Sequence, residues 1–235
     1  MFKSILLKST LVAFTLGSFT ASADTVIDLF SDNQARMEVE FGASDSSSVP
    51  GANILGLERD IEVSSDTFSR ASAEVAFNQL IIASNSFSTS DDTFNVTVQW
   101  DGTDGSDSLD IDGLGGEDFS ELEGFKVDIL SSDHAGTFDV TMYDMAGQMS
   151  TITLPFIIVD SMAPQSFLVN FAFLQAVNPA LDLSMVGAIE LSVNGSGDTD
   201  IRVAAITAVP EPSSLAIMGL ALLGFSAASR RKANK

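Results

Sequence analysis

Apolar and polar side chains alternate with a period of two through the middle of the chain, and this pattern constrains the fold more than any other. Phe94, Val96, Val98 and Trp100 alternate with Asn95, Thr97 and Gln99. Phe125, Val127 and Ile129 alternate with Lys126 and Asp128, and Phe138, Val140 and Met142 with Asp139, Thr141 and Tyr143. Phe167, Val169 and Phe171, and then Ile189, Leu191 and Val193, continue the pattern. Successive side chains of a strand point to opposite faces, so each run sets one face on a core and one in water. Clusters of Gly, Asp, Asn and Ser at residues 144–147 and 194–198 punctuate the runs as turns. Weaker strands are predicted over residues 25–30, 37–41, 58–64 and 74–84. The total is about ten strands, with no long amphipathic helix and no repeat of fixed period. The expected fold class is all-β: a single two-sheet, jelly-roll-like β-sandwich over residues 24–208, flanked by two terminal segments of different character, 1–23 and 209–235.

Charge narrows the function classes. The chain of 235 residues carries 11 Lys+Arg against 32 Asp+Glu. Six of the basic side chains (Lys3, Lys8, Arg230, Arg231, Lys232 and Lys235) lie at the termini, and of the acids only Glu211 lies outside residues 24–210. The body therefore holds five basic and 31 acidic side chains, a net charge of −26. A body this acidic repels nucleic acid phosphates, which excludes a nucleic-acid partner. The chain has no Cys, so thiol nucleophiles, disulfides and Cys-ligated metals are excluded as well.

Both ends read as addresses. Lys3 and Lys8 precede a short apolar run over residues 11–19, and Ala21-Ser22-Ala23 supplies the small residues that signal peptidase requires, which predicts Asp24 as the mature N-terminus. At the other end, residues 212–229 carry no charge. As a helix they span about 27 Å, close to the ~30 Å of a hydrocarbon core. Arg230, Arg231 and Lys232 follow at once, and the positive-inside rule places them in the cytoplasm with everything upstream outside.

Val209-Pro210-Glu211-Pro212, the apolar segment and the Arg cluster stand in that order at the extreme C-terminus. The arrangement resembles the bacterial PEP-CTERM sorting signal. The resemblance implies recognition by an exosortase, a membrane protease of Gram-negative bacteria, and inner-membrane anchoring before processing. It also implies a final place at the cell surface or in the extracellular matrix, alongside exported polysaccharide. An ordinary single-span anchor would give the same topology with permanent attachment. In the body, Ile27-Asp28-Leu29-Phe30, residues 54–61, Gly113-Leu114-Gly115-Gly116-Glu117-Asp118 and residues 185–191 follow an order resembling that of uncharacterised exported proteins with galactose-binding-like sandwiches, a group that includes carbohydrate-binding modules. That resemblance bears on fold rather than activity.

The stretch from Asp101 to Asp118 holds seven carboxylates and five Gly without a Lys or Arg. Hard oxygen ligands on a flexible backbone suit Ca²⁺, so Asp101, Asp104, Asp107, Asp110 and Asp112 are candidate ligands. Their spacing departs from the EF-hand, and a solvated acidic loop remains the plain alternative. Arg59 stands directly before Asp60, and adjacent strand residues face opposite ways. Arg59 is therefore expected to hold a distant carboxylate. Trp100 and Tyr143 are candidate ligand contacts, being the only aromatics with a polar handle. Trp100 continues the apolar face of its strand, so burial competes with that role. His134, the sole histidine, stands in a predicted turn.

Three functional readings follow. The first is a non-enzymatic, exported surface or matrix protein making weak carbohydrate contact in the exopolysaccharide layer, with no cofactor. The second is a calcium-dependent structural or adhesive module built on residues 101–118. The third is a polysaccharide-cleaving enzyme, for which two suitably spaced carboxylates among the 31 would suffice.

Overall fold

The computed structural model describes residues 24–86, 93–196 and 198–210, and they form a sandwich of two antiparallel sheets. The strands in chain order are β1 (Thr25–Asp28), β2 (Gln34–Glu40), β3 (Ser44–Pro50), β4 (Glu58–Ser65), β5 (Ser69–Ala76), β6 (Gln79–Ser86) and β7 (Thr93–Trp100). After a long loop come β8 (Leu122–Ser132), β9 (Gly136–Asp144), β10 (Met149–Phe156), β11 (Gln165–Asn170), β12 (Val186–Ser196) and β13 (Asp200–Pro210). One sheet runs β11-β8-β13-β6-β5-β2, with β1 beside β13; the other runs β10-β9-β12-β7-β4-β3. β1 and β6 share one side of β13: β1 takes residues 206–208 and β6 takes 200–203.

The apolar halves of the alternating runs meet between the sheets. Phe94, Val96, Val98, Phe125, Val127, Ile129, Phe138, Val140, Ile189, Leu191 and Val193 are all buried. Phe119, Phe125 and Phe171 pack edge to face, with centroids 4.6–5.9 Å apart, an arrangement that suits the ring quadrupoles. The six-stranded sheet ends on β3 and β10, and each edge carries a proline, Pro50 and Pro155. Proline cannot donate to a ladder, so edges are where strands tolerate it.

The elements differ from expectation in three places. Residues 74–84 are not one strand: β5 turns into β6 at Phe77-Asn78, where both residues have positive φ (56° and 58°) and Ala76 pairs with Gln79. That is the geometry of a two-residue type I′ hairpin, built here without the usual glycine. β3 has no apolar residue before Val49 and gives no alternation to read. The run from Phe167 breaks after Asn170, whose side chain accepts the Ala172 N–H at 2.8 Å and caps a short helix, α1 (Phe171–Val177).

Candidate functional site

Arg59 and Asp28 form the polar centre of the interior. The Arg59 side chain points between the sheets, and its Nη1 donates to both Asp28 oxygens at 3.2 and 3.0 Å. Its Nε donates to Gln34 Oε1 at 2.8 Å and its Nη2 to the Asp32 carbonyl at 2.7 Å. The guanidinium lies 5.6 Å from the centroid of the Phe30 ring. Asp28 also accepts the Phe30 N–H at 2.7 Å and the Trp100 Nε1–H at 3.1 Å. Burial pushes the Asp28 carboxyl above its ordinary range, against the pull of Arg59 and these N–H donors. Gln34 in turn donates from Nε2 to the Ser47 carbonyl and hydroxyl, both at 2.8 Å. Asp28 and Gln34 belong to one sheet, and Arg59, Trp100 and Ser47 to the other, so the cluster stitches the layers together.

Trp100 is accordingly no surface platform. Its ring is 1% exposed and its N–H is spent on Asp28, which corrects its candidacy as a ligand contact. Tyr143 is half-buried on the outward side of β9, where burial, and then the Glu190 charge, push its phenol upward.

Around Tyr143 the outer face of the six-stranded sheet is polar row by row. Strand register aligns Thr151, Thr141, Glu190, Gln99, Asp60 and Ser48 across all six strands. The next row is Thr153, Asp139, Ser192, Thr97, Glu62 and Ser46. Hydrogen bonds run along and between the rows. Thr141 Oγ1 lies 2.8 Å from Thr151 Oγ1, Thr97 Oγ1 lies 2.9 Å from Ser192 Oγ, and Gln99 donates to Glu190 at 3.3 Å. Asn95 Nδ2 donates to Asn194 Oδ1 and Asn194 Nδ2 to Asp139 Oδ2, both at 2.8 Å. This face ends at a shallow pocket of about 360 Å³ lined by Ser64, Asp66, Asn95 and Asn194 among others. Fixed hydroxyls, amides and carboxylates with one aromatic edge can exchange hydrogen bonds with a polyol.

The acidic loop lies at the other end of this face. Leu114 and Glu117 donate backbone N–H groups to Gly187 and Val186, and Phe119 to Leu183, at 2.8–2.9 Å. The Gly105 N–H reaches Glu58 Oε1 at 3.0 Å. Gly113 lies flat on the Asp101 carbonyl, where any Cβ would overlap. The five candidate ligands do not share one focus. Asp104 and Asp110 accept N–H groups of their own turns (Ser106 and Asp112), and Asp107 accepts the Ser46 hydroxyl. Among the described residues no three His, Asp or Glu side chains converge as a metal cage.

Asp101 instead turns inward to meet Asp60. Asp60 is 2% exposed and Asp101 0%, and their carboxyl groups lie within hydrogen-bond reach of each other. Burial, then Asp101, Glu58 and Asp104, push Asp60 up to about 8. Burial raises Asp101 too, although the Asp110 N–H at 2.7 Å opposes this. Sequence reasoning singled out both residues separately and missed the pair, because forty-one positions separate them. It also missed that Asn95, Asp139, Glu190 and Asn194 join one hydrogen-bonded face, whose signal was the polar half of the alternation. His134 is half-exposed and lies 3.2 Å from Asp133.

The model of the PEP-CTERM protein-sorting motif matches residues 208–232. The chain carries this sorting motif at its C-terminus. The motif marks an exported protein, anchored at the membrane until an exosortase processes it. Its first residues, Ala208 to Pro210, are the last of β13, where Val209 pairs with Gly124 and Pro210 with Leu122. Glu211, Pro212, Arg230, Arg231 and the apolar segment lie outside the described residues, as do Ala21 and Ala23. No curated protein matches the chain. Among solved structures, the chain is similar to the family 11 carbohydrate-binding module of the cellulosomal cellulase Lic26A-Cel5E of Clostridium thermocellum, at 12% identity and TM-score 0.43 over 81% of this chain and 96% of that one. It is similar to the family 30 module of the cellulosomal cellulase CEL9D-CEL44B of the same organism, at 13% identity and TM-score 0.39 over 76% and 99%. A third similarity is to an exo-beta-agarase, at 14% identity and TM-score 0.41 over 81% of this chain and 25% of the agarase.

Proposed function

We propose that the protein is a non-enzymatic component of the surface or extracellular polymer layer of a Gram-negative bacterium, delivered by signal peptidase and an exosortase, and that it makes weak contact with exopolysaccharide. The observation that carries the contact is the outer face of the six-stranded sheet from β10 to β7, where Thr151 and Thr141, Glu190 and Gln99, Ser192 and Thr97, and Asn194 and Asn95 pair by hydrogen bonds beside Tyr143. Its donors and acceptors are pre-positioned by strand register, so a sugar chain lying across them orders few side chains on binding. The reading as a binder rather than a hydrolase is supported by the closure of the Asp60–Asp101 pair. Asp60 and Asp101, the carboxyl groups that meet, are 2% and 0% exposed and so lie out of reach of a polymer.

Affinity gel electrophoresis tests this reading. In a gel cast with the producing organism's exopolysaccharide, the protein is expected to be retarded relative to a gel without it. Asn95→Ala combined with Asn194→Ala is expected to restore free mobility. Equal mobility in both gels sinks the contact, and release of reducing ends from the polysaccharide sinks the non-enzymatic reading.

A further inference from the structure

Asp60 is buried without any hydrogen-bond donor, and Asp101 is buried with one, the Asp110 N–H on its Oδ2 at 2.7 Å. Both oxygens of Asp60 and Oδ1 of Asp101 have no hydrogen-bond donor. The charges acting on Asp60 are Asp101, Glu58 and Asp104, all negative. Asp28 shows what this chain does with a buried carboxylate when it is structural: each of its oxygens receives N–H groups, and Arg59 grips both. Leaving buried acceptors bare costs about 1–3 kcal/mol for each group, and more for charged ones. A single shared proton makes one O–H···O contact between the two carboxyl groups and leaves at least one of the three bare oxygens unmet. A cation lying between them attracts all three.

We infer that the Asp60–Asp101 pair is a binding site for a divalent hard cation, calcium in an exported protein, seated where the 101–118 loop folds onto the six-stranded sheet. The pair offers three carboxylate oxygens, and the rest of the six to eight that Ca²⁺ takes come from backbone carbonyls and water. Calcium suits the place better than magnesium, because a Gly-rich loop tolerates irregular coordination and Mg²⁺ demands near-octahedral geometry. Glu58 and Asp104 add negative potential around the pair, and the net charge of −26 over residues 24–210 concentrates cations at the surface. The bound ion would pin the loop to β4 and remove the repulsion between the two side chains. It sits inward of the loop tip, so Asp107 and Asp112 are not ligands.

The test uses the full chain in mild detergent, stripped with chelator, with no polysaccharide present, so its outcome is independent of the proposed sugar contact. Calcium chloride is expected to raise the melting temperature progressively through the millimolar range, the affinity range of extracellular calcium modules. Terbium is expected to luminesce on excitation of Trp100, the chain neighbour of Asp101. Asp60→Asn, and separately Asp101→Asn, should abolish both signals, whereas Asp107→Ala with Asp112→Ala should keep them. A melting temperature indifferent to calcium at about 10 mM, well above that range, overturns the site in favour of a shared proton. A calcium response that survives Asp60→Asn overturns it as well.

Discussion

Arg59 on β4 and Asp28 on β1 meet as an ion pair with no exposure to solvent, Nη1 to Oδ2 at 3.0 Å, and they join the two sheets at one point. The pair is closed by Gln34, Trp100 and the Phe30 N–H, so neither charge retains an unmet demand.

Removing one member of that pair strands the other. Arg59→Ala is expected to cost about 3–5 kcal/mol, the usual penalty for leaving a buried charge uncompensated. Asp28→Ala should cost a similar amount. The double variant should cost clearly less than the sum of the two, read from urea unfolding midpoints. Additive losses would show that the residues do not depend on each other.

The β5–β6 hairpin carries avoidable strain. Phe77 is 87% exposed and holds a left-handed φ of 56°, followed by Asn78 at 58°. A left-handed conformation costs a residue with a Cβ about 1–2 kcal/mol, less where the residue is Asn. Phe77→Asn with Asn78→Gly, the favoured type I′ pair, is expected to stabilise the fold by about 1 kcal/mol. Thermal melting checks this, and a lower melting temperature would contradict the turn geometry.

Stability in chelator should depend on pH through Asp60. Folding raises its carboxyl from 3.8 to about 8, through burial and the neighbouring Asp101, Glu58 and Asp104. Between those values the folded chain binds a proton that the unfolded chain lacks. The contribution is therefore full below about pH 4 and lost as pH rises through about 8. Urea midpoints across this window are expected to fall with rising pH, and Asp60→Asn should flatten the fall. A midpoint that instead rose with pH in the same window would contradict the buried pair.

The 101–118 loop needs glycine where it crosses its own base. Gly113 has room for hydrogen only, against the Asp101 carbonyl, and Gly102 lies against Gly113 at a φ of +95°. Gly113→Ala should shift the loop and loosen the Asp101 seat. Amide hydrogen exchange should then rise at Asp110, whose N–H is bonded to Asp101, while the β12–β9 ladder stays protected. Unchanged exchange at Asp110 would show that the crossing is slack.

Alternation made the sandwich legible, because strands that bury one face must write that face at every second residue. Phe94 to Trp100 and Phe138 to Met142 could be assigned to the core on that ground alone. β3 was illegible because an edge strand of Ser and Asp buries almost nothing, and the Phe77-Asn78 turn because it lacks the glycine that usually announces it. The polar outer face was half-written, as the polar partners of each apolar run, but only the register of six strands shows that those partners line up. The acidic loop was conspicuous for its carboxylate content, yet the one carboxylate of the loop that matters most is the one folded inward. Asp101 meets Asp60 through tertiary structure alone, and no local pattern encodes such a meeting.

Co-sedimentation with exopolysaccharide is the plainest test of the sugar contact. The wild-type chain is expected to pellet with the polymer in calcium and in chelator alike, because the hydrogen-bonded rows from β10 to β7 do not include the Asp60–Asp101 seat on β4 and the loop. The Asn95→Ala, Asn194→Ala variant should stay in the supernatant at an unchanged melting temperature. A wild-type chain that never pellets, or a variant that pellets equally well, would contradict the account.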